Sequence, residues 1–184
     1  MLLTGVALLF LILDVTGVDR QPLKVTQGKA NVLFFVTDEC PISNSYAPEI
    51  ARICASYKSK GINCALVYAD PALSDNAARQ HAEDYKHGDY PRIVDRRHEL
   101  VKATGVTITP EAAVINRAGK VVYRGRIDDS YAAIGQPRRP VRVADLRNAL
   151  DAIVSGTPIA KPETRALGCY IADFTPSRGS QELR

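Results

Sequence analysis

The chain has 184 residues, 46% of them hydrophobic and 24% charged, with a net charge of +4 and a pI near 8.9. That is enough length for one domain with a full core plus extensions, and an ordinary composition for a soluble globular fold. No Lys/Arg run exceeds two residues and no aromatics interleave with a basic stripe, so no nucleic-acid partner is expected.

The apolar run 2–13 is too short to span a bilayer, which takes about 20 residues, so no membrane span is expected. It has the length of a signal-peptide core, which would direct the protein to the periplasm or outside the cell. No Lys or Arg precedes it and no small-x-small cleavage site follows. The other reading makes residues 8–13 part of the first strand of a domain that stays in the cytoplasm. Residues 13–25 read as two short strands joined by a turn.

Residues 31–37 (NVLFFVT) form a continuous apolar run, the pattern of a strand buried on both faces. A helix is predicted after Cys40, with Ser43, Asn44 or Ser45 as cap, Ile50, Ile53, Cys54 and Tyr57 at helical spacing, and Gly61 as stop. Pro48 lies inside it and predicts a kink. Residues 62–69 (INCALVYA) form a second buried strand, 74–86 a polar helix, 90–95 a short strand and 96–104 a short helix. Strands 112–116 and 121–126 form a hairpin about the turn 117–120. Residues 128–142 read as a loop insertion with little structure. Leu146, Leu150 and Ile153 mark one face of a last helix over 143–154. This order predicts an α/β domain over 14–156, with a mixed central sheet and helices on both faces. An extended tail, 157–184, carries Cys169.

The four cysteines, Cys40, Cys54, Cys64 and Cys169, are too few for a disulfide scaffold. They fit no zinc pattern either, since no two are close and His81, His87 and His98 lie far from each in sequence. Redox work or burial remains, and no metal or cofactor is called for. Cys40 sits between a buried strand and the start of a helix. There, backbone N–H groups and the helix dipole favour the thiolate, the nucleophilic form. Pro41 fits the first helical turn, where its missing N–H would have no partner.

The pieces Thr37-Asp38-Glu39-Cys40-Pro41, Thr109-Pro110 and the closing GKVVYRG of 119–125 resemble the thioredoxin superfamily, specifically its peroxiredoxin-like (AhpC/TSA, redoxin) branch. The resemblance covers roughly residues 25–155. It implies a thioredoxin-like fold and a thiol oxidoreductase with Cys40 as nucleophile. The substrate would be a small peroxide or a protein disulfide, and a thiol would be the reductant. It implies that Pro110 is cis and shapes, with Thr109, Pro41 and Ser43, the groove where substrate backbone pairs. Thr37 matches the motif, and Arg126 is the candidate to polarise a peroxide, with Arg124 second; an ion pair of Arg126 with Asp128 is the alternative.

Two departures bear on the chemistry. A local dithiol would need a second cysteine at position 43, which is Ser43, and the proline that peroxiredoxins carry four residues before the threonine is Leu33. Ser43 retains a hydroxyl that can hydrogen-bond a thiolate and lower its pKa. Something must then resolve an oxidised Cys40. Cys169, about a dozen residues beyond the last helix and preceded by Gly168, is the candidate, since an extended tail gains about 3.3 Å per residue. A free or an intermolecular tail thiol is the alternative. Cys54 and Cys64 read as buried core residues, with a disulfide between them as the alternative. A different function on the same fold is copper binding by Cys40 and Cys169 with His81 or His98, because thiolates suit Cu(I). A redox-inactive protein-binding fold is the third reading.

Overall fold

The structure is a computed structural model that describes residues 17–19 and 28–172. The apolar run 2–13, most of the strands expected over 13–25, and residues 173–184 lie outside the described residues. In chain order the strands are β1 (Ala30–Val36), β2 (Ile62–Tyr68), β3 (Arg92–Val94), β4 (Ile108–Thr109), β5 (Glu111–Asn116), β6 (Val121–Gly125), β7 (Tyr131–Ala133), β8 (Gln136–Pro137) and β9 (Cys169–Tyr170). The helices are α1 (Pro41–Lys58), α2 (Asp75–Asp84), α3 (Glu99–Thr104) and α4 (Asp145–Ser155).

The central sheet runs β3-β2-β1-β5-β6, with β1 parallel to β2 and antiparallel to β5. β1 is therefore paired on both sides, and every one of its residues is buried, as its unbroken apolar sequence predicts. Its alternate side chains serve two cores. Val32, Phe34 and Val36 pack with Ile50 and Ile53 of α1 and Leu146 and Leu150 of α4. Leu33 and Phe35 pack on the other face with Leu100 of α3 and Val106. The result is a mixed sheet with helices on both faces, and β1 fixes where its last residues deliver the chain.

Three local differences have physical reasons. α1 begins at Pro41, with Cys40 itself at the N-cap, so Ser43, Asn44 and Ser45 lie inside the helix. Proline's preference for the first helical position outweighs the serine caps. The helix then runs continuously through Pro48 to Lys58. The segment 128–142 is also more ordered than a loop insertion. It carries the β7–β8 hairpin, a cis Arg139–Pro140 bond, and Asp129, whose carboxylate accepts from the Arg142 and Val143 amides at 2.7 and 2.9 Å and from the Arg138 guanidinium at 2.7 Å. One side chain organising backbone thirteen residues away leaves no periodic trace in sequence.

The third difference concerns Cys54 and Cys64, which are buried, as expected of core residues, but bonded to each other. Cys54 lies on the buried face of α1, above Cys64 in β2, with a Cα–Cα distance of 5.9 Å that suits a disulfide. The bond ties α1 to the sheet beneath it and leaves Cys40 and Cys169 as the free cysteines. Closing a loop of 10 residues restricts the unfolded chain by about 2–3 kcal/mol. The double variant Cys54→Ser/Cys64→Ser should lose about that much stability in urea denaturation. A loss below about 0.5 kcal/mol would show that the link adds no constraint.

Candidate active site

β1 ends at Val36, and the next residues turn the chain so that Cys40 caps α1. No side-chain hydrogen bond caps this helix. The Cys40 side chain lies at its N-terminus, where the amides at the second and third helical positions, Ile42 and Ser43, favour a negative charge on the sulfur. Cys40 is 2% exposed, and burial alone would raise its pKa. Four donors reverse this: the Cys169 thiol, the Ser43 amide, the Ser43 hydroxyl and the Ile42 amide. Together they hold Cys40 below the ordinary thiol value. Ser43 Oγ is buried with no hydrogen-bond partner elsewhere among the described residues, so its hydroxyl is available to favour charge on the neighbouring sulfur.

Cys169 reaches this point because the segment 162–171 is docked on the domain. The Arg124 amide donates to Pro162 O (2.9 Å), and the Thr164 amide donates back to Arg124 O (3.0 Å). Arg124 also pairs with Glu163. The Thr164 hydroxyl bonds Tyr123 Oη (2.9 Å) and accepts from the Arg126 amide (3.1 Å). Gly125, at φ +146°, permits this approach, since a Cβ there would run into Thr164. Ala166 is buried, and β9 then pairs antiparallel with β4, with Cys169 opposite Thr109 and Tyr170 opposite Ile108.

The two sulfurs stand 2.7 Å apart. Cys169 remains exposed, and its pKa is pushed up to about 11 by burial, by its hydrogen bond to Cys40 and by the Cys40 charge. When Cys40 is protonated it donates instead to Thr109 O at 3.5 Å. Thr109 precedes a cis bond to Pro110, and both residues are buried. The Thr109 hydroxyl meets Thr37 Oγ1 at 3.2 Å and donates to Cys169 O at 3.5 Å. Cys40, Cys169, Thr37, Ser43, Thr109, Pro110 and, next to the cysteine, Pro41 are thus brought together.

Among the described residues Arg126 makes no hydrogen bond to this group and meets it only beside Pro110. It shares a small groove with Pro110, Tyr46, Asp128, Tyr131 and Leu167, and its Nε donates to Asp145 Oδ2 at 2.6 Å. Its ion-pair partner is therefore Asp145, at the start of α4, and not Asp128, whose carboxylate accepts from Tyr46 Oη at 2.7 Å. Arg124, the second candidate, is held by Gly105 O (2.8 Å) and by Glu163. The histidines of the copper reading are bonded into the fold. His81 meets Tyr68 Oη and Asn44 Oδ1, each at 2.9 Å, and His98 Nε2 donates to Ala69 O at 2.7 Å. Among the described residues no group of three or more His, Cys, Asp and Glu side chains is arranged to hold a metal ion. The docking role of Thr164 and the β4–β9 pairing were missed in sequence, because a two-residue strand has no periodicity.

The sequence profile of the redoxin family matches residues 13–134. The chain belongs to the redoxin family. The matched span contains Cys40, Pro110 and Arg126 and ends before Cys169. This redoxin is 27% identical over 113 residues to the thiol-disulfide oxidoreductase ResA of Bacillus thuringiensis subsp. konkukian, across 61% of this chain and 63% of the relative. It therefore spans less than two thirds of the length of the curated relatives it matches. Its fold is shared with an uncharacterized conserved protein from Geobacillus kaustophilus, at a TM-score of 0.73 and 27% identity over 89% of this chain and 88% of that one. A hypothetical protein of Sinorhizobium meliloti shares it too, at a TM-score of 0.71 and 22% identity over 85% and 88%.

With Cys54 and Cys64 bonded, two thiols remain to titrate. Thiolate ultraviolet absorbance of the reduced pair should rise in two steps, Cys40 below the ordinary thiol value and Cys169 near about 11. Cys169→Ser should leave one step and Ser43→Ala two, in each case with the Cys40 step moved upward. A single step near the ordinary value, unmoved by Ser43→Ala, would contradict this electrostatic account.

Proposed function

We propose that this redoxin is a thiol–disulfide oxidoreductase in which Cys40 is the nucleophile and Cys169 the resolving thiol. The 2.7 Å separation of their sulfurs is the observation that carries this reading. The Cys40 thiolate attacks one sulfur of a substrate disulfide, and the other leaves as a thiolate that takes up a proton. Cys40 is then uncharged in a mixed disulfide. Two of the causes that raise Cys169, the hydrogen bond to Cys40 and its charge, are thereby removed. Cys169 ionises more readily once its target has formed, attacks Cys40 Sγ and expels the second substrate thiolate. Two electrons pass from the cysteine pair to the substrate, and an external thiol restores the pair.

A disulfide substrate fits better than a peroxide because Arg126, the group that would polarise a peroxide, is engaged in an ion pair with Asp145. No cofactor enters either route. We assign Thr37, Thr109 and Pro110 to shaping the groove over the sulfur, and Pro41 and Ser43 to presenting and stabilising it. The name of the ResA relative supports the same class of substrate. We also propose an extracytoplasmic location, periplasmic or secreted, because a structural disulfide such as Cys54–Cys64 persists in an oxidising compartment. Among the described residues no helix is long and apolar enough to cross a membrane.

The test is reduction of a protein disulfide by the wild type and two variants, with peroxide consumption measured beside it. Cys40→Ser should fall to background, a loss of about a hundredfold or more, and Cys169→Ser should stall with substrate linked to Cys40. Activity retained by Cys40→Ser would refute the assignment. Peroxide consumed faster than disulfide would move the substrate class to peroxides.

A further inference from the structure

The edge that carries Cys169 to Cys40 is a general one. β4 offers its backbone to β9, and backbone pairing of this kind accepts any extended peptide. What selects among peptides is the space around each position. At the position before the cysteine there is none. Gly168 lies flat against Thr109, and a Cβ there would collide with the Thr109 carbonyl oxygen. It would also come within 2.7 Å of the carbonyl carbon and 3.1 Å of Ile108 Cγ2. Thr109 is poorly placed to retreat, being fully buried, bonded to Thr37 and followed by the buried Pro110.

The positions after the cysteine differ. Tyr170 is 82% exposed, so that site imposes no side chain. Ile171 donates its amide to Thr107 O at 3.0 Å, and its side chain packs against the core that holds Leu100 and Val106. That site favours an apolar residue.

We propose that the β4 edge is a peptide-recognition groove that reads Gly-Cys-x-apolar, so a protein partner exchanging with Cys40 must present its cysteine directly after a glycine. The segment Gly168-Cys169-Tyr170-Ile171 is the built-in occupant with this sequence, and a partner enters by replacing it. The proposal rests on the reading of Cys40 as the exchanging thiol and adds the identity of what exchanges with it. Thr109 and Ile108 are the specificity-determining residues, through the backbone carbonyl of one and the side chain of the other.

The experiment uses the full-length Cys169→Ser chain, with Cys54–Cys64 intact, and two peptides, Ala-Leu-Gly-Cys-Tyr-Ile and Ala-Leu-Ala-Cys-Tyr-Ile. Each peptide cysteine is supplied as a mixed disulfide with thionitrobenzoate. The Cys40 thiolate attacks the peptide sulfur, a new S–S bond forms, and the coloured thionitrobenzoate leaves with the electron pair. The glycine peptide should react about tenfold or more faster than the alanine peptide. In full-length Gly168→Ala/Cys169→Ser, whose tail no longer fits the groove, the glycine peptide should react faster still, with the preference kept. Equal rates for the two peptides overturn the groove's selectivity and leave Cys40 as nucleophile. So does failure of both peptides while the parent aromatic disulfide still reacts. If that small disulfide also fails at Cys40, the nucleophile assignment itself falls, and this proposal with it.

Discussion

A buried sulfur at the N-cap of α1 has to be balanced by donors, and most of the site follows from that requirement. Cys40 is delivered to its position by β1, the most enclosed strand of the sheet, and locked there by Pro41 at the first helical turn. Burial opposes its charge, and the Cys169 thiol, the Ser43 amide and hydroxyl and the Ile42 amide outweigh it and hold the thiol below its ordinary pKa. The last of these donors is also the group proposed to resolve the oxidised sulfur. In the proposed mechanism, stabilising the thiolate and resolving it are one contact used at two stages.

The tail is as structural as the strands it crosses. Thr164 holds it to the end of β6, Ala166 is buried, and β9 completes the edge of β4. This gives Cys169 a defined approach and leaves it, not Cys40, as the exposed sulfur. It also means that the groove over Cys40 is filled by the chain itself. Access by any larger substrate has to be gained against the tail's hydrogen bonds.

The sheet and its flanking helices were legible because buried parallel strands are written as apolar runs and amphipathic helices as a repeat of 3.6 residues. The position of Cys40 was legible for the same reason, since it closes one such run. The start of α1 was misplaced because three plausible caps follow a proline whose preference decides the matter. The Asp145 partner of Arg126 was not legible, because the ion pair joins residues brought together only when α4 folds back on the sheet. Cys54 and Cys64 could be seen to be close, but whether two facing cysteines bond depends on a few tenths of an ångström that sequence does not carry.

The central claim is that Cys40 and Cys169 form a redox pair within one chain. The most direct measurement is a disulfide map by peptide mass spectrometry of the whole protein after mild oxidation at low concentration, with free thiols blocked in acid. The account predicts two linked peptide pairs, Cys40–Cys169 and Cys54–Cys64. Cys169 recovered as a free thiol beside an oxidised Cys40, or linked to a second chain, would contradict it.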